Sequence, residues 1–269
     1  MDELSAFAKK LRIDIIKMLV EAGSGHPGGA LGMSDVFAVL YSKILKHNPL
    51  QPDWPERDRL ILSNGHICPV LYASLAETGY FPIDDLAQLR KLGSGLQGHP
   101  HRGSLPGVEN TSGPLGQGLS LACGLAAGLR LQGNPARIYC VMSDGEHQEG
   151  QTWEAYQFGA KEHLANLTVL LDRNGIQIDG RTEDIMALDP LAEKIRSFNW
   201  NVIEIDGHNF PAIEQAIESA QATTTGPTAV VCKTTPGKGV SFMENKFEWH
   251  GKAPNHEQAH EALKELEAT

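Results

Sequence analysis

Two stretches decide how this chain folds: Ile138-Tyr139-Cys140-Val141-Met142-Ser143-Asp144-Gly145, and Leu167-Thr168-Val169-Leu170-Leu171-Asp172-Arg173-Asn174-Gly175. Each is a short apolar run of strand length that ends in polar residues and glycine. Neither alternates polar with apolar, so each strand is expected to be covered on both faces, as in parallel sheets with helices above and below. Thr152 to His163, between them, reads as the crossover helix. Val202–Ile205 and Thr228–Cys232 are third and fourth runs beside amphipathic helices, and Arg59–Leu62 is a short strand emptying into Ser63-Asn64-Gly65-His66. The expected fold class is α/β: a doubly wound, mainly parallel sheet with helices on both faces. In such sheets ligands bind beyond the carboxyl ends of the strands.

Outward from this centre, Leu4 to Glu21 carries apolar residues at helical spacing and stops at Ala22-Gly23-Ser24-Gly25. A second helix is expected from Ser34, as N-cap, through Ile44. Lys91 to Gly118 is rich in glycine and proline and reads as one long functional loop. It leads into a small-residue helix, Leu119 to Leu131, and a charged helix from Glu257 to Glu267 closes the chain. No composition break divides it, so residues 1–269 are read as a single domain.

The composition excludes several classes. With 23 Lys and Arg against 33 Asp and Glu, the net charge is −10, which disfavours nucleic-acid and anionic-membrane binding. Nothing approaches the ~18 apolar residues of a membrane span. Met1-Asp2-Glu3 is acidic where a signal peptide needs positive charge. Cys68, Cys123, Cys140 and Cys232 are widely spaced, form no zinc pattern and are read as reduced thiols, so a cytoplasmic location is expected.

Asp144 and Asn174 each follow an apolar strand, thirty positions apart. In a parallel sheet both reach one crevice, where a carboxylate and an amide oxygen form a sparse hard-oxygen site suited to Mg²⁺. Taken alone, the pair has a plainer reading: a helix cap and an Asn-Gly turn. The surrounding motifs decide between them. Ser143-Asp144-Gly145 and Arg173-Asn174 resemble the thiamine diphosphate signature, with Ser143 for its first glycine and Arg173 before the asparagine. Ser24-Gly25-His26-Pro27-Gly28-Gly29, Ser63-Asn64-Gly65-His66, Gly98-His99-Pro100, Gly113-Pro114-Leu115-Gly116-Gln117-Gly118, Gln148-Glu149-Gly150, Ile176-Gln177-Ile178-Asp179-Gly180 and Trp249-His250-Gly251 stand in the order found in transketolase. From Leu11 to Pro254 the chain resembles the amino-terminal, diphosphate-binding domain of that family.

The resemblance implies roles by position. Asp144 and Asn174 through side chains, and Ile176 through its carbonyl, would ligate Mg²⁺, with Ca²⁺ as an alternative. Gly145 and Glu146 would lie with the diphosphate, Leu115 and Gly116 against the aminopyrimidine. His66 and His250 would contact the cofactor, and together with His26 and His99 they would surround the reacting carbon and the sugar. Imidazoles suit this task because they both donate and accept. Glu149 would communicate with the carboxylate that activates the cofactor. His101 and Arg102 stand where relatives carry an acidic residue, which bears on substrate preference.

The family's pyrimidine-binding and carboxyl-terminal domains are missing from these 269 residues. A second chain supplying the activating Glu is therefore expected, in a heterotetramer with two copies of each, acting on sugar phosphates by two-carbon transfer. Two rivals stay open: a related subunit for another sugar, such as a branched pentulose phosphate, and a non-catalytic paralogue that binds cofactor and partner. A nicotinamide dehydrogenase is disfavoured, because the G-x-x-G-x-G of Gly113–Gly118 lacks a directly preceding strand.

Overall fold

A computed structural model describes residues 3–268, and in it every apolar run becomes a strand. The strands are β1 (Arg59–Leu62), β2 (Ile138–Ser143), β3 (Leu167–Arg173), β4 (Ile176–Gln177), β5 (Gly180–Arg181), β6 (Asn201–Asp206) and β7 (Thr228–Lys233). Five of them form one sheet in the order β1-β2-β3-β7-β6, all parallel, while β4 and β5 pair as a small antiparallel hairpin. The helices are α1 (Glu3–Ala22), α2 (Pro27–Gly32), α3 (Ser34–Val39), α4 (Cys68–Glu77), α5 (Gly118–Leu131), α6 (Gly150–Lys161), α7 (Thr182–Ile185), α8 (Leu191–Ser197), α9 (Phe210–Ala222) and α10 (His256–Ala268).

The two-residue pleat sorts side chains into two cores. Tyr139 and Val141 of β2, Leu170 of β3, and Val230 and Cys232 of β7 face α1, α3, α4, α9 and α10, packing with Leu11, Phe37, Leu71, Ile213 and Leu266. Their neighbours Cys140, Met142, Val169, Leu171 and Val231 face the other way, onto Cys123 of α5, Tyr156 of α6 and Ile195 of α8. Both faces are thus buried, as expected for apolar strands without alternation. At the edge, β6 is partly exposed along its length.

Three local elements depart from the sequence expectation or have no counterpart in it. Ser34 is not the N-cap of the second helix: Met33 holds that place, and the Ser34 hydroxyl donates to the Ala30 carbonyl at 3.0 Å. The chain has already turned helical at Pro27, whose fixed φ suits a first helical position, and α3 ends in a π-turn over Leu40–Ile44. Second, the segment after His66 is helical. α4 escapes a periodicity search because Cys68 to Ala76 is buried all round and has no polar face. Third, Ile176–Arg181 forms the β4–β5 hairpin. The long segment 91–118 is irregular until Gly118 starts α5, as anticipated.

All four cysteines are buried and free, and burial pushes the Cys123 thiol up to about 12. Among the described residues no helix is long and apolar enough to cross a membrane.

Candidate active site

Beyond the carboxyl ends of β1, β2 and β3 lies a cleft of about 350 Å³, lined by His26, His66, His99, His250, Gly113, Leu115, Gly145, Glu149, Asn174 and Ile176 among others. The four histidines come from four separate turns and converge there. Ring centroids lie 5.3 Å apart for His26–His66, 5.7 Å for His26–His250, 6.1 Å for His26–His99 and 5.0 Å for His66–His250. Burial, with His250, Arg90 and His99 as neighbours, takes His26 down to about 4. Burial and the adjacent His250 hold His66 well below the usual range, and burial lowers His99 and His250 too. Near neutral pH the cluster is therefore uncharged, and each ring keeps one donor and one acceptor. The His26 Nδ1 is buried without a protein partner.

Beneath the histidines the ends of β2 and β3 meet. Asp144 accepts from the Gly175 amide at 2.7 Å and the Arg173 guanidinium at 3.0 Å through Oδ2, and from the Gly145 amide at 2.8 Å through Oδ1. It has no exposed surface. Burial raises its carboxyl, opposed by these donors. The Asn174 amide donates to Asp172 at 2.7 Å, and its Oδ1 accepts from the Ile176 amide at 3.0 Å. Asp172 is itself buried, accepts from the Thr234 hydroxyl, and is raised to about 7, mainly by desolvation. Asp144 and Asn174 thus occupy one edge of one site. Asn174 lines the cleft, whereas Asp144 sits just behind it, turned toward Arg173.

Other site candidates separate into those that face the cleft and those that do not. Leu115 is 37% exposed and faces it, and so does Glu149, at the N-cap of α6. Gly116 instead turns its amide away, onto the Glu146 carboxylate at 2.9 Å. Glu146 is fully buried and does not line the cleft, because four protein donors engage its oxygens. His101 and Arg102 are exposed. Arg102 lines two surface cavities, one of them beside α5, apart from the histidines. Sequence reading passed over Ser63, Asp172 and Arg90. Arg90 packs against Gly25 and Gly98, the residues preceding His26 and His99, and its Nη2 lies 3.5 Å from the Gly98 carbonyl. Only the motif positions of those glycines hinted at a residue behind them.

The donor set fits a metal that brings its own ligands. Among the described residues no three His, Cys, Asp or Glu side chains converge as a metal site. The Asn174 amide at the glycine-lined cleft and the Asp144 carboxylate just behind it would leave most of a cation's shell to ligand oxygens and water, as Mg²⁺ with a diphosphate requires. At Gly145 a Cβ would meet only Gln177 Cβ, at 3.5 Å, so the space before it is free for a ligand.

Residues 4–267 match the family described as Transketolase, thiamine diphosphate binding domain. The chain belongs to the transketolase family. It is 42% identical over 259 residues to the 6-deoxy-6-sulfo-D-fructose transketolase subunit SqwG of Clostridium sp. (strain MSTE9), covering 96% of this chain and 93% of that subunit. It is 38% identical to an apulose-4-phosphate transketolase subunit of Actinobacillus succinogenes, covering 98% of this chain and 96% of that one. The transketolase of Leishmania mexicana superposes with a TM-score of 0.94 at 34% identity, over 99% of this chain but 42% of that one. The chain therefore spans nearly the full length of two transketolase subunits and about two fifths of that longer transketolase. This likeness to transketolase-family proteins supports a transferase role.

Proposed function

We propose that this polypeptide is the thiamine diphosphate-binding subunit of a two-chain transketolase. It would transfer a two-carbon glycolaldehyde unit from a ketose phosphate to an aldose phosphate, with Mg²⁺ as the metal and Ca²⁺ as an alternative. The observation that carries this reading is the convergence of four uncharged histidines over Asn174 and Asp144 at one sheet edge. Asp144, Asn174 and the Ile176 carbonyl would hold the metal. Gly145 would leave room for the diphosphate, and Leu115 and Gly116 would border the aminopyrimidine. When bound, the cofactor supplies a nucleophilic thiazolium carbon and an electron sink.

The chain's own residues orient and move protons. His66 and His250, only 5.0 Å apart, would flank the reacting centre, while His26 and His99 would bind sugar hydroxyls and the carbonyl oxygen. Being uncharged, each ring can accept a hydroxyl proton at one nitrogen while donating from the other. Glu149 would relay to the activating carboxylate of a second chain, in a cytoplasmic heterotetramer with two copies of each. The likeness to the SqwG and apulose-4-phosphate subunits supports the two-chain arrangement.

Those same relatives favour one second reading: a sulfonated or branched sugar as donor instead of an unbranched ketose phosphate. The test is reconstitution with the partner chain, thiamine diphosphate and Mg²⁺ against a donor panel. Ketol transfer that needs both chains and disappears in Asp144→Ala is expected. Robust transfer by this chain alone would refute the partner requirement. Equal inertness of wild type and variant across the panel would favour a non-catalytic binding role.

A further inference from the structure

The buried Glu146 carboxylate is used by neither the histidine cluster nor the metal edge. It lies in the turn after β2, has no exposed surface, and contacts protein on every side. Oε1 accepts from the Ser63 hydroxyl and from the Gly116 amide at 2.9 Å, and Oε2 accepts from the Ser143 amide at 2.8 Å, with the Ser143 hydroxyl at 3.5 Å. Ser63 Oγ in turn accepts from the Gly118 amide at 3.0 Å. One carboxylate and one hydroxyl therefore hold two backbone amides of the Gly113–Gly118 loop.

A buried carboxylate is expensive and is kept only where donors surround it. These donors all come from segments that build the cleft: the end of β1, the end of β2 and the loop carrying Leu115. The loop has little freedom on its other side. Gly116 adopts φ +76, and a Cβ there would lie 2.9 Å from Glu149 Cβ and from Thr152 Oγ1. Thr152 also donates to the Glu146 carbonyl at 2.8 Å, so the carboxylate's own backbone is pinned as well.

We infer that Glu146 is a positioning residue, an internal anionic pin that sets the backbone of Gly113–Gly118 and so the face that Leu115 presents to the cleft. The consequence for cofactor affinity rests on the function proposed above, whereas the consequence for the loop does not.

Hydrogen exchange of the full-length chain without cofactor tests it, using Glu146→Gln and the milder Ser63→Ala. An amide at position 146 must turn its NH₂ toward one of the two sets of donors. Either way the acceptor facing the Gly116 amide loses its charge or its lone pair, so Glu146→Gln should speed exchange across 113–118 by about tenfold, the loss expected for one charge-assisted hydrogen bond. Protection of β3, and of β2 before Ser143, should stay intact. Ser63→Ala should raise exchange chiefly at Gly118, and the double variant should show less than the product of the two effects, because the groups share one network. Exchange at 113–118 that is unchanged in both variants, or raised equally throughout the sheet, would overturn the inference. If Glu146→Gln does not fold, Ser63→Ala alone decides it. Calorimetric titration with thiamine diphosphate and Mg²⁺ separates the two readings. Failure of the wild type to bind would count against the proposed function, while the exchange pattern alone judges the pin.

Discussion

Replacing Arg173 by Met should strongly destabilise this protein, because this part-buried guanidinium faces a fully buried carboxylate. The guanidinium bonds Asp144 at 3.0 Å, the Thr182 hydroxyl at 3.0 Å, Glu183 at 2.8 Å and Asp189 at 2.9 Å. The Glu183 and Asp189 partners are more exposed and add little, because solvent screens them. Asp144 is different. It is fully buried, and without Arg173 only the Gly145 and Gly175 amides would face its charge. Removing one partner of such a pair costs about 3–5 kcal/mol, a large share of a typical domain's stability. Urea denaturation followed by tryptophan fluorescence at pH 7.5, without added metal, should show this loss. The deficit should shrink toward pH 5. In the variant, the Asp144 carboxyl would be raised further above its unfolded value, so the penalty appears as pH rises and fades where the group is protonated. Asp144→Asn combined with Arg173→Met should cost clearly less than the sum of the single changes, since both remove the same charge pair. A loss below about 1 kcal/mol, or strictly additive single effects, would refute the reasoning that Arg173 compensates this carboxylate.

Asp14 offers a second pH signature. Burial, and then Glu77, raise its carboxyl to about 7, and its Oδ2 is buried without a hydrogen-bond partner. The folded value lies above the unfolded one, so stability from this group is present below about pH 4 and is lost as pH rises toward 7. Asp14→Asn should therefore gain about 1–2 kcal/mol at pH 8, after discounting for solvent screening of this partly exposed group, and almost nothing at pH 4. Equal gains at both pH values in a denaturant series would contradict this. Gly118→Ala should cost about 2 kcal/mol or more, because the added Cβ would lie 2.3 Å from Ser63 Cβ and 2.6 Å from Ser63 Cα, which is backbone that cannot swing aside. An unchanged melting temperature would show that the loop and the end of β1 are looser than they stand here.

Most of the architecture could be read along the chain because its cause is local. Runs such as Val169-Leu170-Leu171 have no polar alternation, and only a sheet covered on both faces buries them completely. That His26, His66, His99, His250 and Asn174 would come to one cleft was equally legible, since each stands in a short motif beside a residue that forces a turn. α4 was not legible, because a helix buried on all sides leaves no period to detect. Nor was the start of α2, hidden inside a His-Pro-Gly-Gly stretch that reads as loop.

Sequence alone therefore determined the fold class, the sheet edge at which the cleft opens, and which residue types gather there. Tertiary structure alone decided their states and orientations. It lowered the four histidines to their uncharged form by packing them together and partly desolvating them, set Asp144 behind the cleft against Arg173, and placed Glu146 inside the protein as a pin. The reason is physical: protonation and hydrogen-bond direction depend on desolvation and on neighbours far away in the chain, such as Ser63 and Gly116 for Glu146. No local pattern encodes those neighbours.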